Sequence, residues 1–210
     1  MEHYLAVAPV ASVIFAITII FSLIAFYNED LLVKCMLHPY SVSRGKRLYG
    51  LITSGFIHKD WMHLIFNMLS YYFFAFQLES VFGHWQFGLL YMLSLVLSDL
   101  PSVSKHKNDY GYHSLGASGA VSAVIFGAIL FDPLNPIYLM FIPIPIYGVV
   151  FAVLYLVYCN YASKHSQDNV NHDAHLFGAL SGLMITIVLH HQVLPEFIHI
   201  ITEKVQSWTH

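Results

Sequence analysis

A chain of 210 residues that is 57% hydrophobic and 10% charged, with a mean hydropathy of +0.62, is not a soluble domain, in which charged residues run at about 25%. Its formal net charge of −3 and the lack of a basic patch with interleaved aromatic residues argue against nucleic acid as a partner. The solvent that fits this composition is the lipid bilayer.

The nine Lys and Arg and twelve Asp and Glu are confined to short stretches. Between them lie six charge-free windows long enough to span ~30 Å of hydrocarbon at about 1.5 Å per residue. The first runs from about Tyr4 to Tyr27; it is too long for a cleavable signal peptide and lacks its basic flank, so a retained helix is expected. The loop that follows, about residues 28–60, mixes apolar runs with Lys34, Arg44, Lys46, Arg47 and Lys59. That mixture predicts an interfacial, half-embedded element. The second window runs from Trp61 to Gln77 and the third from Phe82 to Ser98, divided by Glu79 and the Phe82-Gly83 turn. A fourth runs from about Leu115 to Phe131, a fifth from about Ile137 to Tyr158 after Pro133 and Pro136, and a sixth from Ala174 to Leu194. The tail, about 194–210, sets Phe197, Ile201, Val205 and Trp208 at helical spacing and predicts an amphipathic interfacial helix. Only helices or closed barrels satisfy their backbone groups in lipid, and these runs lack the alternation of barrel strands. The fold class is therefore an all-α polytopic membrane protein, a six-helix bundle forming one domain over residues 1–210.

Polar side chains are costly in hydrocarbon unless paired or facing water, so those inside the windows are candidate functional groups. Windows two, four and six cross in the same direction, and their N-terminal ends open on one side. His63 with Asn67, Ser118 and His175 all lie near those ends. Ser118 sits in Gly116-Ala117-Ser118-Gly119-Ala120 at a helix start. There it reads either as a small packing residue or as a nucleophile, with free N–H groups beside it to stabilise an oxyanion. His175 lies next to a stripe of small residues, Ala174, Gly178 and Gly182, which permits close approach of a glycine-bearing helix such as that of Gly116 and Gly119. Close approach would bring an imidazole to the hydroxyl, which needs a general base. The alternative is a histidine satisfied by a helix carbonyl. His63 and Asn67, four apart on one face, are either oxyanion donors or interhelical polar contacts. Asp173, about 200° around the helix from His175, should point away from it, so a dyad is favoured over a triad.

Cys35 and Cys159 form no framework and read as free thiols. Most of the 14 histidines lie in loops and tails, and neither HExxH nor a Cys-rich ligand set is present. His172 and His175, three apart, have the one spacing that suits a metal. No further ligand set lies near them in sequence, so no metal or other cofactor is expected.

Taken together, Trp61-Met62-His63-Leu64-Ile65-Phe66-Asn67, Leu78-Glu79-Ser80-Val81-Phe82-Gly83, Gly116-Ala117-Ser118-Gly119 and Ala174-His175-Leu176-Phe177-Gly178 resemble the ordered signatures of the rhomboid intramembrane serine proteases. The resemblance spans about Leu37 to Leu183. It implies a six-helix core in which Ser118 attacks the scissile carbonyl and His175 is general base, then acid. His63, Asn67 and the Ser118 backbone N–H would form the oxyanion hole. The implied substrates are membrane-anchored proteins entering laterally from the bilayer, with water reaching the site from the outer face of the plasma membrane. A non-catalytic relative that binds transmembrane clients is the alternative, although such relatives typically lose the Ser or the His.

Three features depart from the family pattern. Tyr49-Gly50 stand where many members carry Trp-Arg, leaving Arg47 as the neighbouring candidate for anchoring the loop. Ser122 stands where many bacterial members carry an aromatic residue packing on the catalytic histidine; either the base is held differently or a neighbouring Phe substitutes. Finally, every basic residue except Lys204 falls in the first, third or fifth loop, against the positive-inside tendency if the N-terminus is cytoplasmic, as in the family.

Overall fold

The computed structural model describes residues 6–139, 142–168 and 170–208. Helix α1, Pro9–Phe26, starts with Pro at its first turn, where a missing N–H is harmless. Two further N–H groups of that turn are met from another helix. Glu79, fully buried, accepts from Val10 N–H (3.0 Å) and Ala11 N–H (2.6 Å), and its Oε1 lies 2.7 Å from His84 Nδ1. A carboxylate at a helix N-terminus complements both the orphan donors and the dipole, which offsets its burial.

The first loop folds as short helices α2 (Glu29–Cys35), α3 (Pro39–Val42) and α4 (Gly50–Thr53), then a 3-10 turn at Ser54–Phe56. Arg47 anchors it: its guanidinium donates to the carbonyls of Val33 (2.6 Å) and Lys34 (2.9 Å) at the end of α2. Val33, Leu48, Tyr49 and Ile52 remain exposed on this loop, as an element resting in a bilayer interface requires.

Helix α5, Trp61–Phe82, is capped by Asp60, whose Oδ1 accepts from His63 N–H at 2.8 Å. Gly83, at φ +102°, turns the chain directly into α6, His84–Lys105, which continues past Ser98 and through Pro101. Helix α7, Ser118–Phe131, is the axis of the bundle, with most of its side chains buried. The fifth window is corrected. Residues from Pro136 form a hairpin of β1 (Pro136–Leu139) and β2 (Ile142–Tyr147), antiparallel with Ile137 opposite Ile146, and α8, Gly148–His165, begins only afterwards. Pro143 and Pro145 lack the N–H that a helix interior needs, and the alternating Ile residues favour a strand. The fold is thus helical with one small two-stranded sheet rather than all-α. Helix α9 is His172–Leu189 and α10 is Val193–Gln206; the tail's last two residues lie outside the described residues.

Among the described residues, α1, α6 and α9 are long and apolar enough to cross a membrane, and α7 is a shorter apolar helix. Large apolar side chains such as Ile20, Leu93, Met184 and Val188 face outward from these helices, which identifies lipid as their surroundings. The protein is an integral membrane protein. Cys35 and Cys159 are both free thiols.

Candidate active site

The N-terminal ends of α5, α7 and α9 meet at one level of the bundle, and glycine makes the meeting close. Gly116, at φ +118°, turns the chain into α7 with the His63 ring against it: a Cβ here would fall 2.5 Å from His63 Cε1 and 2.7 Å from Nε2. On the other side of α7, a Cβ on Gly178 would lie 2.9 Å from the Gly119 Cα, and one on Gly182 would lie 2.5 Å from the Ala123 Cα. Gly119 is closed in further by Ser98 of α6 and by the Ala174 carbonyl, 3.3 Å from where its Cβ would stand. Backbone therefore meets backbone between α7 and α9. Ser118 lies at the start of this contact and His175 one turn before Gly178.

Ser118 is the first residue of α7, and the N–H groups of Ser118, Gly119 and Ala120 have no acceptor among the described residues. They are the orphan donors of a helix start, pointing along α7 past its N-terminus, where the His63 ring packs against Gly116. Asn67, buried one turn below His63, donates from Nδ2 to the His63 carbonyl at 2.9 Å, which leaves the second N–H of the amide available. Among the described residues, no hydrogen bond links Ser118 Oγ to His175 and none engages a ring nitrogen of His63.

His175 is steadied from α8. The Tyr155 ring lies nearly parallel to the imidazole, 21° apart with centroids 6.4 Å apart, and the Tyr155 hydroxyl is 2.8 Å from Ser122 Oγ. The aromatic partner missing at position 122 thus arrives from another helix, tethered by the hydroxyl that replaced it, and no phenylalanine is needed. Asp173 makes an ion pair with Lys105 at 2.8 Å, turned away from His175 as helical geometry demands. Asn171 caps α9, its Oδ1 accepting from Ala174 N–H at 3.1 Å, while its Nδ2 donates to Ser102 of α6 at 2.9 Å. Tyr155 and Ser102 are not legible in the sequence as site residues, because each acts from a distant segment; Asn171 has the N-cap chemistry of a helix start, and that signal could have marked it.

His58 fixes the turn before Ser118. It is fully buried, its Nε2 accepting from Ala117 N–H (3.4 Å) and its Nδ1 2.9 Å from Ser22 Oγ, while Gly116 N–H donates to Ser54 O at 2.9 Å. Burial lowers the His58 pKa from 6.5 to about 3, aided by His63. A folded-state pKa below the unfolded one means the unfolded chain binds the proton first as pH falls. The stabilisation is complete above pH 6.5 and is lost progressively toward pH 3. Between pH 6.5 and about pH 5 the loss amounts to about 2 kcal/mol. Thermal melts of the detergent-solubilised protein across that interval should therefore slope downward with acidity, and His58→Gln should flatten the slope; an unchanged slope would exclude His58 as its source.

A family model, Rhomboid domain, matches residues 45–192. The Bacillus subtilis (strain 168) protein YdcA, a rhomboid protease by provisional name, is 30% identical over 142 residues, which cover 67% of this chain and 66% of that protein. RHOMBOID-like protein 1 of Arabidopsis thaliana is 32% identical over 74% of this chain and 36% of its own length. RHOMBOID-like protein 12, mitochondrial, of the same plant is 25% identical over 73% of this chain and 50% of its own. The chain therefore spans between about a third and two thirds of the length of these relatives.

Proposed function

Because the chain belongs to the rhomboid family, with the domain over residues 45–192, we propose that it is an intramembrane serine endopeptidase that hydrolyses peptide bonds in or beside transmembrane segments of membrane-anchored substrates. The observation that carries this reading is the junction of three helix starts, where Ser118 with its unpaired backbone donors lies between the His63 imidazole and the helix of His175. In the reaction, Ser118 Oγ attacks the scissile carbonyl carbon as its proton passes to His175. The oxyanion accepts hydrogen bonds from the Ser118 N–H, His63 and Asn67. Collapse of the tetrahedral intermediate expels the amine, protonated by His175, and water activated by the same imidazole releases the acyl group. The Ser118–His175 hydrogen bond forms as substrate closes the site, the usual behaviour of catalytic hydrogen bonds that are loose in the free enzyme.

In this reading residues 1–210 form one domain of six membrane-crossing helices in the plasma membrane, with a cytoplasmic N-terminus. The first loop lies half-embedded on the outer face, where water enters, and substrates arrive laterally through lipid. Neither a metal nor an organic cofactor takes part. The purified protein should cut a single-span reporter in the presence of chelator. A folded preparation that cuts no such reporter, whichever small residues flank the scissile bond, would refute the proposal.

The oxyanion donors give a graded expectation. His63→Ala and Asn67→Ala should each lower kcat by about 10²-fold, the scale for losing one preorganised donor, with KM little changed. Equal loss in KM with kcat preserved would make them substrate-binding groups instead.

A further inference from the structure

Beside the end of α9 that carries His175 lies a set of candidate metal-ligand atoms from α8 and α9. Cys159 Sγ from α8 and one ring nitrogen each of His172 and His175 lie within 4.8 Å of one another. Cys159 and His172 are buried. His172 Nε2 is held by the Asp168 carboxylate at 3.1 and 3.2 Å, whereas its Nδ1 is buried with no hydrogen-bond partner among the described residues. A buried ring nitrogen left without a partner is unfavourable unless something occupies it. A histidine whose far nitrogen is fixed by a carboxylate is the arrangement that orients imidazole toward a metal.

We infer that Cys159, His172 and His175 form a site for a zinc-like divalent cation, with Asp168 orienting His172, and that occupation of the site switches the protease off. Thiolate and imidazole in this ratio suit Zn²⁺ rather than Mg²⁺ or Ca²⁺, and the fourth tetrahedral position is left for water. The edges of such a tetrahedron are roughly 3.5 Å, so side-chain rotations that close the three atoms by about an ångström complete it. On binding, the Cys159 sulfur–hydrogen bond breaks, the sulfur–metal bond forms, and the proton leaves to solvent.

The inhibition, though not the binding, rests on the proposed role of His175. A cation on the ring nitrogen facing Ser118 occupies the lone pair that would take the hydroxyl proton. A cation on the other nitrogen leaves the facing one protonated. In either case the imidazole is no longer a base, and Tyr155 still holds it in place.

Titration of the full detergent-solubilised chain with Co²⁺ tests the site directly. We expect a thiolate-to-cobalt charge-transfer band that is absent in Cys159→Ser, and about 10- to 100-fold weaker binding in Asp168→Asn. Zn²⁺ should suppress reporter cleavage at least tenfold relative to each variant's own activity in chelator, with the zinc dependence shifted upward in both variants. A band that persists in Cys159→Ser, and so belongs to Cys35, would overturn the site. A Cys159-dependent band without suppression of cleavage would overturn the switch. Were the dyad itself wrong, there would be no cleavage to suppress, but the cobalt spectrum would still report the ligands, so the two failures are distinguishable.

Discussion

Ser118→Ala and His175→Ala are each expected to reduce hydrolysis of a membrane-anchored reporter by at least about 10⁴-fold while leaving the melting temperature within a few degrees of wild type. A neutral serine hydroxyl is a poor nucleophile without a base, and the Ser98 hydroxyl that packs against Gly119 is committed to the Leu95 carbonyl at 3.0 Å. Loss of the Ser118 hydroxyl therefore removes the covalent route, leaving only what the oxyanion donors and substrate positioning provide to attack by water. Loss of the imidazole leaves the hydroxyl with no acceptor for its proton, since Asp173 is paired with Lys105 and turned away. Because the two groups act as one unit, the double variant should be no worse than either single variant. Multiplicative losses would show that they contribute through separate steps. Ser118 is only partly buried and its hydroxyl makes no hydrogen bond among the described residues, so its truncation removes little packing and the fold should tolerate it.

The second large effect comes from a residue with no chemistry of its own. Gly178→Val should lower both stability and turnover, the stability by several kcal/mol and kcat by 10²-fold or more. A methyl at 178 already meets the backbone of Gly119, and the next glycine along the stripe meets the backbone of Ala123. Backbone atoms cannot rotate aside as a side chain would, so α9 must move off α7 as a body, and overpacking of this kind costs about 1–3 kcal/mol even for smaller insertions. His175 sits one turn from the contact, and a displacement of about 1 Å between reacting groups is worth about 10²-fold in rate. Gly178→Ala should show the same two losses at reduced size. Wild-type melting and wild-type kcat in Gly178→Val would mean that the helices are not held at this distance.

The helices were legible because hydropathy reports them wherever lipid surrounds them: α1, α5, α6, α7 and α9 each fall inside or overlap an expected window. The fifth window misled because strands and helices of apolar residues have the same hydropathy, and the evidence against a helix lay in Pro143 and Pro145 rather than in the average. Glu79, assigned to a turn by its charge, acts instead across the bundle on the start of α1. His63, Asn67, Ser118 and His175 stood out as polar groups at one end of three co-directional windows. Their supporting residues did not. Tyr155 supplies the aromatic ring absent at 122, and Cys159 completes a ligand set with His172 and His175. Each of these relations joins residues brought together by helix packing, and their order along the chain carries no trace of it.

Labelling of the detergent-solubilised protein with a fluorescent fluorophosphonate, in wild type beside Ser118→Ala and His175→Ala, reads out the Ser118–His175 dyad itself, because the probe reacts with a serine only when a base activates it. A labelled wild type and two unlabelled variants are expected. Equal labelling of Ser118→Ala, or a folded wild type that takes no label, would contradict the dyad and favour a rhomboid-like protein that binds transmembrane clients without cutting them.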